Sequence, residues 1–216
     1  MKVLELFSGF GDISKAFAAQ GHEVFRIDWN QKLEAELHAD ISELTADDII
    51  ELCGGVPDVI WASPDCTTYS IATHRHRTVL EGLLPKTQYA WECDMTNVSM
   101  WNLIDELIRR GTKYYFVENP RGRMRHMPFM KDRPRHTITY CSYGNKASAN
   151  GYTDQYIMKP TDIWTNHPDL DLLPMCTVNT TEHIHGTWAF AHKRDYLNRS
   201  TMPRKLCEHI AKRAVL

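Results

Sequence analysis

No stretch of this 216-residue chain approaches the roughly 18 consecutive apolar residues that would signal a membrane span. The N-terminus enters a strand-like pattern directly, without the apolar core and small-residue cleavage site of a secretory leader. Six cysteines (53, 66, 93, 141, 176 and 207) are scattered without one CxxC pair. Disulfides are therefore not expected, and a reducing, cytoplasmic setting is. A net charge of −2 removes any global electrostatic case for nucleic acid. Internal repeats and low-complexity linkers are absent too. What remains is ordinary for a globular chain, 43% hydrophobic and 24% charged, and long enough for one domain with little left for a second. Positive charge is local: His74-Arg75-His76-Arg77, and the stretch from Arg121 to Arg135 with Arg123, Arg125, Lys131 and Arg133 between.

Apolar Val3, Leu4 and Leu6 predict a buried strand over Lys2 to Phe7, followed by the turn Ser8-Gly9-Phe10-Gly11 and a helix carrying Ile13, Ala16 and Phe17. Glu23 to Ile27 reads as a second strand, ending in Asp28-Trp29. A helix is expected over Gln31 to Leu37, and Asp40-Ile41 closes a third short element. A helix over Ala46 to Leu52 stops at Gly54-Gly55, and Asp58 to Ala62 forms the strand leading to Cys66. Val98, Trp101, Ile104 and Ile108 would line one face of a helix ended by Gly111, and Lys113 to Val117 the strand leading to Glu118. Strands alternating with helices imply a doubly wound, mostly parallel sheet. Further on, His136 to Tyr140 and Thr161 to Thr165 read as strands. Thr201-Met202-Pro203 opens a last helix with Leu206, Ile210 and Ala214 on one side.

In such a sheet, ligands bind beyond the C-terminal strand ends. Three of those ends carry chemistry: a glycine turn after the first, Cys66 after Trp61-Ala62-Ser63-Pro64-Asp65, and Glu118 in Phe116-Val117-Glu118-Asn119-Pro120. A cysteine is a nucleophile and a glutamic acid a proton donor or acceptor. Asp28 is placed to accept hydrogen bonds from ribose hydroxyls, Trp29 to stack on an adenine, and Asp40 to receive its amino group. Together they suit an adenosine ligand lacking phosphates. Each alone is equally consistent with a solvated loop, and the other five cysteines with packing. His74 and His76, or His183 and His185, lack the cysteine or carboxylate company a metal needs, so no metal is expected.

These motifs, in this order, resemble the DNA cytosine-5 methyltransferase family, especially its short phage-type members. Phe7, Ser8, Gly9 and Gly11 match the cofactor loop, Asp28-Trp29 the ribose and adenine pair, and Asp40-Ile41 the third cofactor motif. Ser63-Pro64-Asp65-Cys66, followed by Ser70, is similar to the nucleophile loop, with Pro64 beside the cofactor. Glu118-Asn119-Pro120 matches the glutamate motif, and Asn198 and Ser200 the late motif that returns to the cofactor. The resemblance implies a single Rossmann-like methyltransferase domain over 1–216, with S-adenosylmethionine as cofactor and DNA as partner. Cys66 and Glu118 would be catalytic; Ser70, Asn119, Arg121 and Lys159 would meet the substrate.

Four departures stand out. Asp65 occupies a place where the family usually has proline, loosening the loop and disfavouring the neighbouring thiolate. Asp162 falls where an arginine is often found, leaving the charge to Lys159 or to Arg133 and Arg135. Only 166–196 stand in place of a target-recognition region, and residues 145–157 form a polar insertion. Sequence reading of DNA is then expected to be weak, delegated to a partner, or built from the loop from His74 to Gln88, whose HRHR charges either contact phosphates or are simply solvated. Two alternatives stay open: modification of a free nucleotide or an already modified pyrimidine, and a non-catalytic DNA-binding decoy.

Overall fold

The first strand, β1 (Lys2–Leu6), is buried along nearly its whole length, as its run of apolar residues requires for a strand with neighbours on both sides. The computed structural model describes residues 1–72, 74–79, 82–144, 156, 158–177 and 201–215. After β1 come α1 (Asp12–Ala18), β2 (Glu23–Ile27), α2 (Ala46–Cys53), β3 (Val59–Ala62), α3 (Gln88–Arg110) and β4 (Tyr114–Pro120). Then follow β5 (Arg135–Thr139), β6 (Pro160–Thr165) and a last helix, α4 (Arg204–Arg213). The six strands form one sheet in the order β2-β1-β3-β4-β6-β5. Pairings among the first four are parallel, whereas β6 runs antiparallel to both β4 and β5.

Alternation along each strand sends side chains to opposite faces and so builds two cores. Ile60 and Ala62 of β3 join Leu4, Leu6 and Val117 beneath α2 and α3. Val59 and Trp61 join Val3, Phe116 and Ile163 beneath α1 and α4. Leu206, Ile210 and Ala214 are all buried, as their spacing on the last helix predicts. Burying a large apolar side chain contributes about 1.5–3 kcal/mol, so both layers are strongly held.

Some elements differ from expectation. Gln31 to Leu37 forms turns instead of a helix: the Glu36 carboxylate accepts from the Arg26 backbone amide (2.7 Å) and guanidinium, and the Leu37 amide donates to the Arg26 carbonyl. These bonds along β2 compete with helical ones. On α3 the buried face runs through Cys93, Asn97, Met100, Trp101, Ile104 and Leu107, while Val98 is exposed. Glu118 lies within β4, paired with Ile163, rather than beyond the strand's end. A short 3-10 turn, Ile41–Glu43, follows Asp40.

The chain leaves β1 for the β2 edge and then returns to β3 on the other side. The ends of β1 and β3 thus mark the topological switch point, where a crevice opens.

Candidate active site

The crevice begins with a strained turn. Phe7, Gly9 and Gly11 all have left-handed backbones, with φ of 55°, 53° and 67°. Glycine carries this conformation at little cost, whereas Phe7 must be held in it. The hold comes from β2: Asp28, almost fully buried, accepts the Gly9 amide through Oδ2 (2.9 Å) and the Asn30 amide through Oδ1 (2.9 Å). Among the described residues, a side chain at Gly9 would meet nothing within 4 Å, which leaves the turn's backbone room for a ligand.

Beside it lies a cavity of about 300 Å³, lined by Phe7, Asp28, Trp29, Asp40, Ile41, Pro64 and Asp65, with Tyr89, Glu92, Cys93, Thr96 and Asn97 from α3 forming the other wall. Trp29 is 73% exposed, leaving its ring open for stacking. Asp40 accepts the Ser42 amide and hydroxyl on Oδ1. Among the described residues, buried Asn97 on the α3 wall has an Oδ1 without a hydrogen-bond partner, as has buried Ser8 Oγ in the glycine turn. Size, an open aromatic, carboxylates and unpartnered polar atoms together fit a nucleoside-bearing cofactor. The α3 wall left no sequence signal, because those residues read simply as helix. Asn198 and Ser200, also expected here, lie outside the described residues.

Cys66 stands at the far edge of the crevice, just before the short turn Thr67–Tyr69. It keeps accessible surface. Even so, enclosure by the crevice walls pushes its thiol pKa up; Glu118 and Asp65 push the same way, and Lys159 opposes them. Cys66 is thus close enough to Glu118 and Lys159 to feel both charges. Glu118 is 6% exposed, and its Oε1 accepts the Tyr140 hydroxyl at 2.9 Å. Burial, with Glu118 adding to it, holds the Tyr140 hydroxyl protonated far above its usual range. Tyr140 is therefore a permanent donor to the carboxylate. The Lys159 ammonium sits 4.6 Å from the centre of the Tyr140 ring.

The residues just after Glu118 grip the Cys66 loop. Asn119 Nδ2 donates to the Pro64 carbonyl at 2.9 Å. Gly122 packs so closely that an added Cβ would lie 2.6 Å from the Tyr69 carbonyl oxygen. Buried Arg123 donates to the Ser70 carbonyl and, at 2.8 Å, pairs with His74 Nδ1. Ser70 turns its own hydroxyl to the Ala72 amide (3.2 Å). Arg121 is exposed, its backbone amide bound to the Pro160 carbonyl (2.9 Å). Tyr140, Gly122 and Arg123 were not singled out as site residues from sequence. Only the glycine offered a local signal.

Two expectations about charge are corrected. Arg77 of the HRHR run does not reach outward for phosphates: it is fully buried, paired with Asp94 at 2.7 and 2.9 Å and stacked 4.2 Å from the Tyr69 ring centre. The Tyr69 hydroxyl also donates to Asp94 (2.7 Å), so this cluster braces the Cys66 loop from beneath. Arg133 does not serve the site either, since Asp105 holds it (2.8 and 3.0 Å) and it stacks on Trp101. The charge opposite Asp162 comes mainly from Arg125, whose Nε donates at 2.9 Å; Thr137 adds its hydroxyl (2.7 Å), and Arg135 stands farther off at 3.8 Å. Asp162 is wholly buried yet satisfied on each side. Most of the 145–157 insertion, and residues 178–200 with His183 and His185, lie outside the described residues.

Comparison with known proteins gives likenesses among both curated proteins and solved structures. The chain is 27% identical over 169 residues to a Frog virus 3 (isolate Goorha) protein named "Probable DNA (cytosine-5)-methyltransferase", covering 77% of this chain and 71% of that one. It also aligns, at 16% identity and a TM-score of 0.46, with the crystal structure of a triple mutant of Spodoptera frugiperda DNMT2. That alignment covers 87% of this chain and 55% of the other, so the chain spans about half its length. No family model matches the chain.

Proposed function

We infer that this chain, a member of the DNA cytosine-5 methyltransferase family, methylates C5 of cytosine in DNA through a covalent adduct on Cys66. One observation carries the reading. Asn119, next to Glu118, donates to the Pro64 carbonyl two residues before Cys66, so the two motifs are tied together beside a cavity suited to a nucleoside cofactor.

S-adenosylmethionine, when bound, supplies an electrophilic methyl group. Phe7, Ser8, Gly9 and Gly11, with Asp28, Trp29, Asp40, Ile41 and Pro64, would hold it. Cytosine C5 is a poor nucleophile until something adds at C6, and the Cys66 thiolate makes that addition. Glu118 holds the N3 and N4 edge of the base and favours protonation at N3, which draws off the developing negative charge. Tyr140 fixes one Glu118 oxygen, leaving the other outside that bond. Once the enamine carbon C5 has taken the methyl group, the C5 proton passes to solvent and the Cys66 thiolate is expelled from C6, restoring the C5–C6 double bond and freeing the product. Because the thiol pKa is raised, the fraction of reactive thiolate grows as pH rises, and Lys159 is the cation that favours it. A base within a duplex cannot reach this crevice, so the target is flipped out or already single-stranded.

The two departures that suggested a decoy, Asp65 and Asp162, both have bonded partners, which supports a maintained enzyme over a decaying one. Incubation with tritium-labelled S-adenosylmethionine and cytosine-rich DNA, duplex and single-stranded, tests the reading. Label is expected in 5-methylcytosine and absent with Cys66→Ala. Failure to label either DNA by a protein that binds the cofactor would refute it.

A further inference from the structure

Asp65 stands where the family's nucleophile loop has a proline, a residue that stiffens a loop by fixing φ. Here the stiffness has another source. Asp65 Oδ1 accepts the Thr67 amide at 2.6 Å, closing a local turn immediately around Cys66. Its Oδ2 accepts the Tyr89 hydroxyl across 24 residues of sequence. Tyr89 lies in the first turn of α3, whose N-cap Thr87 accepts the Ala90 amide. Its ring meets His76 edge-on at 5.8 Å, so its position is fixed from two directions. Asp65 and Tyr89 both line the 300 Å³ cavity.

We propose that Tyr89 is a positioning residue for Cys66: by donating to Asp65 across the cavity, it latches the nucleophile loop to α3 and supplies the restraint that proline gives elsewhere. The proposal rests on the reading of Cys66 as nucleophile. Burial, with Asp65 adding to it, pushes the Tyr89 hydroxyl up, so it keeps its proton and donates across the physiological range. The same α3 wall carries Glu92, Thr96 and Asn97 into the cavity, so one bond sets both the thiol's location and the width of the space beside it. Asp65 is thus a replacement for proline and not a loss of function. Its carboxylate raises the thiol pKa, and the latch is what the loop gains in exchange.

Three variants test this: Tyr89→Phe, Asp65→Pro and the double substitution, all in the full chain. Hydrogen-exchange mass spectrometry of the free protein reads the Thr67 amide. Steady-state methyl transfer to DNA reads kcat and KM separately. Tyr89→Phe should speed Thr67 exchange several-fold and lower kcat roughly five- to tenfold, with KM for DNA little changed, the loss expected for one partly exposed bond to a charged group. In the Asp65→Pro background, Tyr89→Phe should cost nothing further. Unchanged exchange and kcat in Tyr89→Phe, or strictly additive losses in the double variant, overturn the latch. A wild-type protein that transfers no methyl group refutes the proposed function instead, and the exchange measurement still judges the latch.

Discussion

Glu5 sits in the middle of β1, 2% exposed, beneath the glycine turn, with Oε2 accepting the Ser14 amide in the first turn of α1 (3.0 Å). Burial pushes its pKa from 4.5 to about 7, with nearby Asp12 adding to the rise and the bonds from Ser14 opposing it. The folded state therefore holds a proton that the unfolded chain releases between about pH 4.5 and pH 7. Stability is full below pH 4.5 and falls as pH rises through 7. The displacement corresponds to about 3.4 kcal/mol at 1.36 kcal/mol per pH unit, of which about 2.5 kcal/mol is lost between pH 5 and pH 8.5. Glu5→Gln keeps the shape and the acceptor for Ser14 but cannot ionise. Its melting temperature, relative to the parent's, should therefore climb with pH. At 2–4 °C per kcal/mol for a chain this long, the gain is about 5–10 °C between pH 5 and pH 8.5. Differential scanning fluorimetry across that range measures it. Any constant offset from the amide cancels in the comparison. A melting-temperature difference that stays flat with pH would show that Glu5 does not carry this proton.

The Cys66 and Lys159 pairing has a readout independent of turnover. Lys159→Met should move the pH profile of iodoacetamide alkylation at the Cys66 peptide to more alkaline values, and Asp65→Asn should move it the other way; shifts in the same direction contradict the charge assignment. Gly122→Ala places a methyl group against the Tyr69 carbonyl, so it should cost roughly 1–3 kcal/mol in urea denaturation and slow adduct formation on fluorocytosine DNA. Neutral behaviour in both assays would mean that the two loops separate freely. Arg77→Met leaves Asp94 without its cation and should destabilise the fold by roughly 3–5 kcal/mol, whereas an exposed phosphate-binding arginine would cost almost nothing.

Much of the architecture was legible because it rests on local periodicity. Apolar runs ended by glycine or by a reactive residue marked β1, β3 and β4, and the spacing of Leu206, Ile210 and Ala214 marked α4. The expected helix at 31–37 failed where side-chain bonds from Glu36 to β2 outcompeted helical ones, a contest that helical spacing does not record. Motif order pointed to Cys66, Glu118 and the glycine turn as candidates for one site, because a doubly wound topology gathers strand ends at its switch point.

The partners of those residues were a different matter. Asp65 and Asp162 read as defects in sequence, and Arg77 as a surface charge. Their bonds run to Tyr89, Arg125 and Asp94, between 17 and 37 residues away. Tyr140 reaches Glu118 across 22 residues, and Arg123 reaches Ser70 across 53. The sequence alone determined most of the strands and helices and which reactive groups lie near the strand ends, since backbone geometry and local hydrophobic pattern suffice for that. Only the tertiary structure decided whether each charge is paired, buried or held near Cys66, because a buried charge depends on whatever the packed sheet brings beside it.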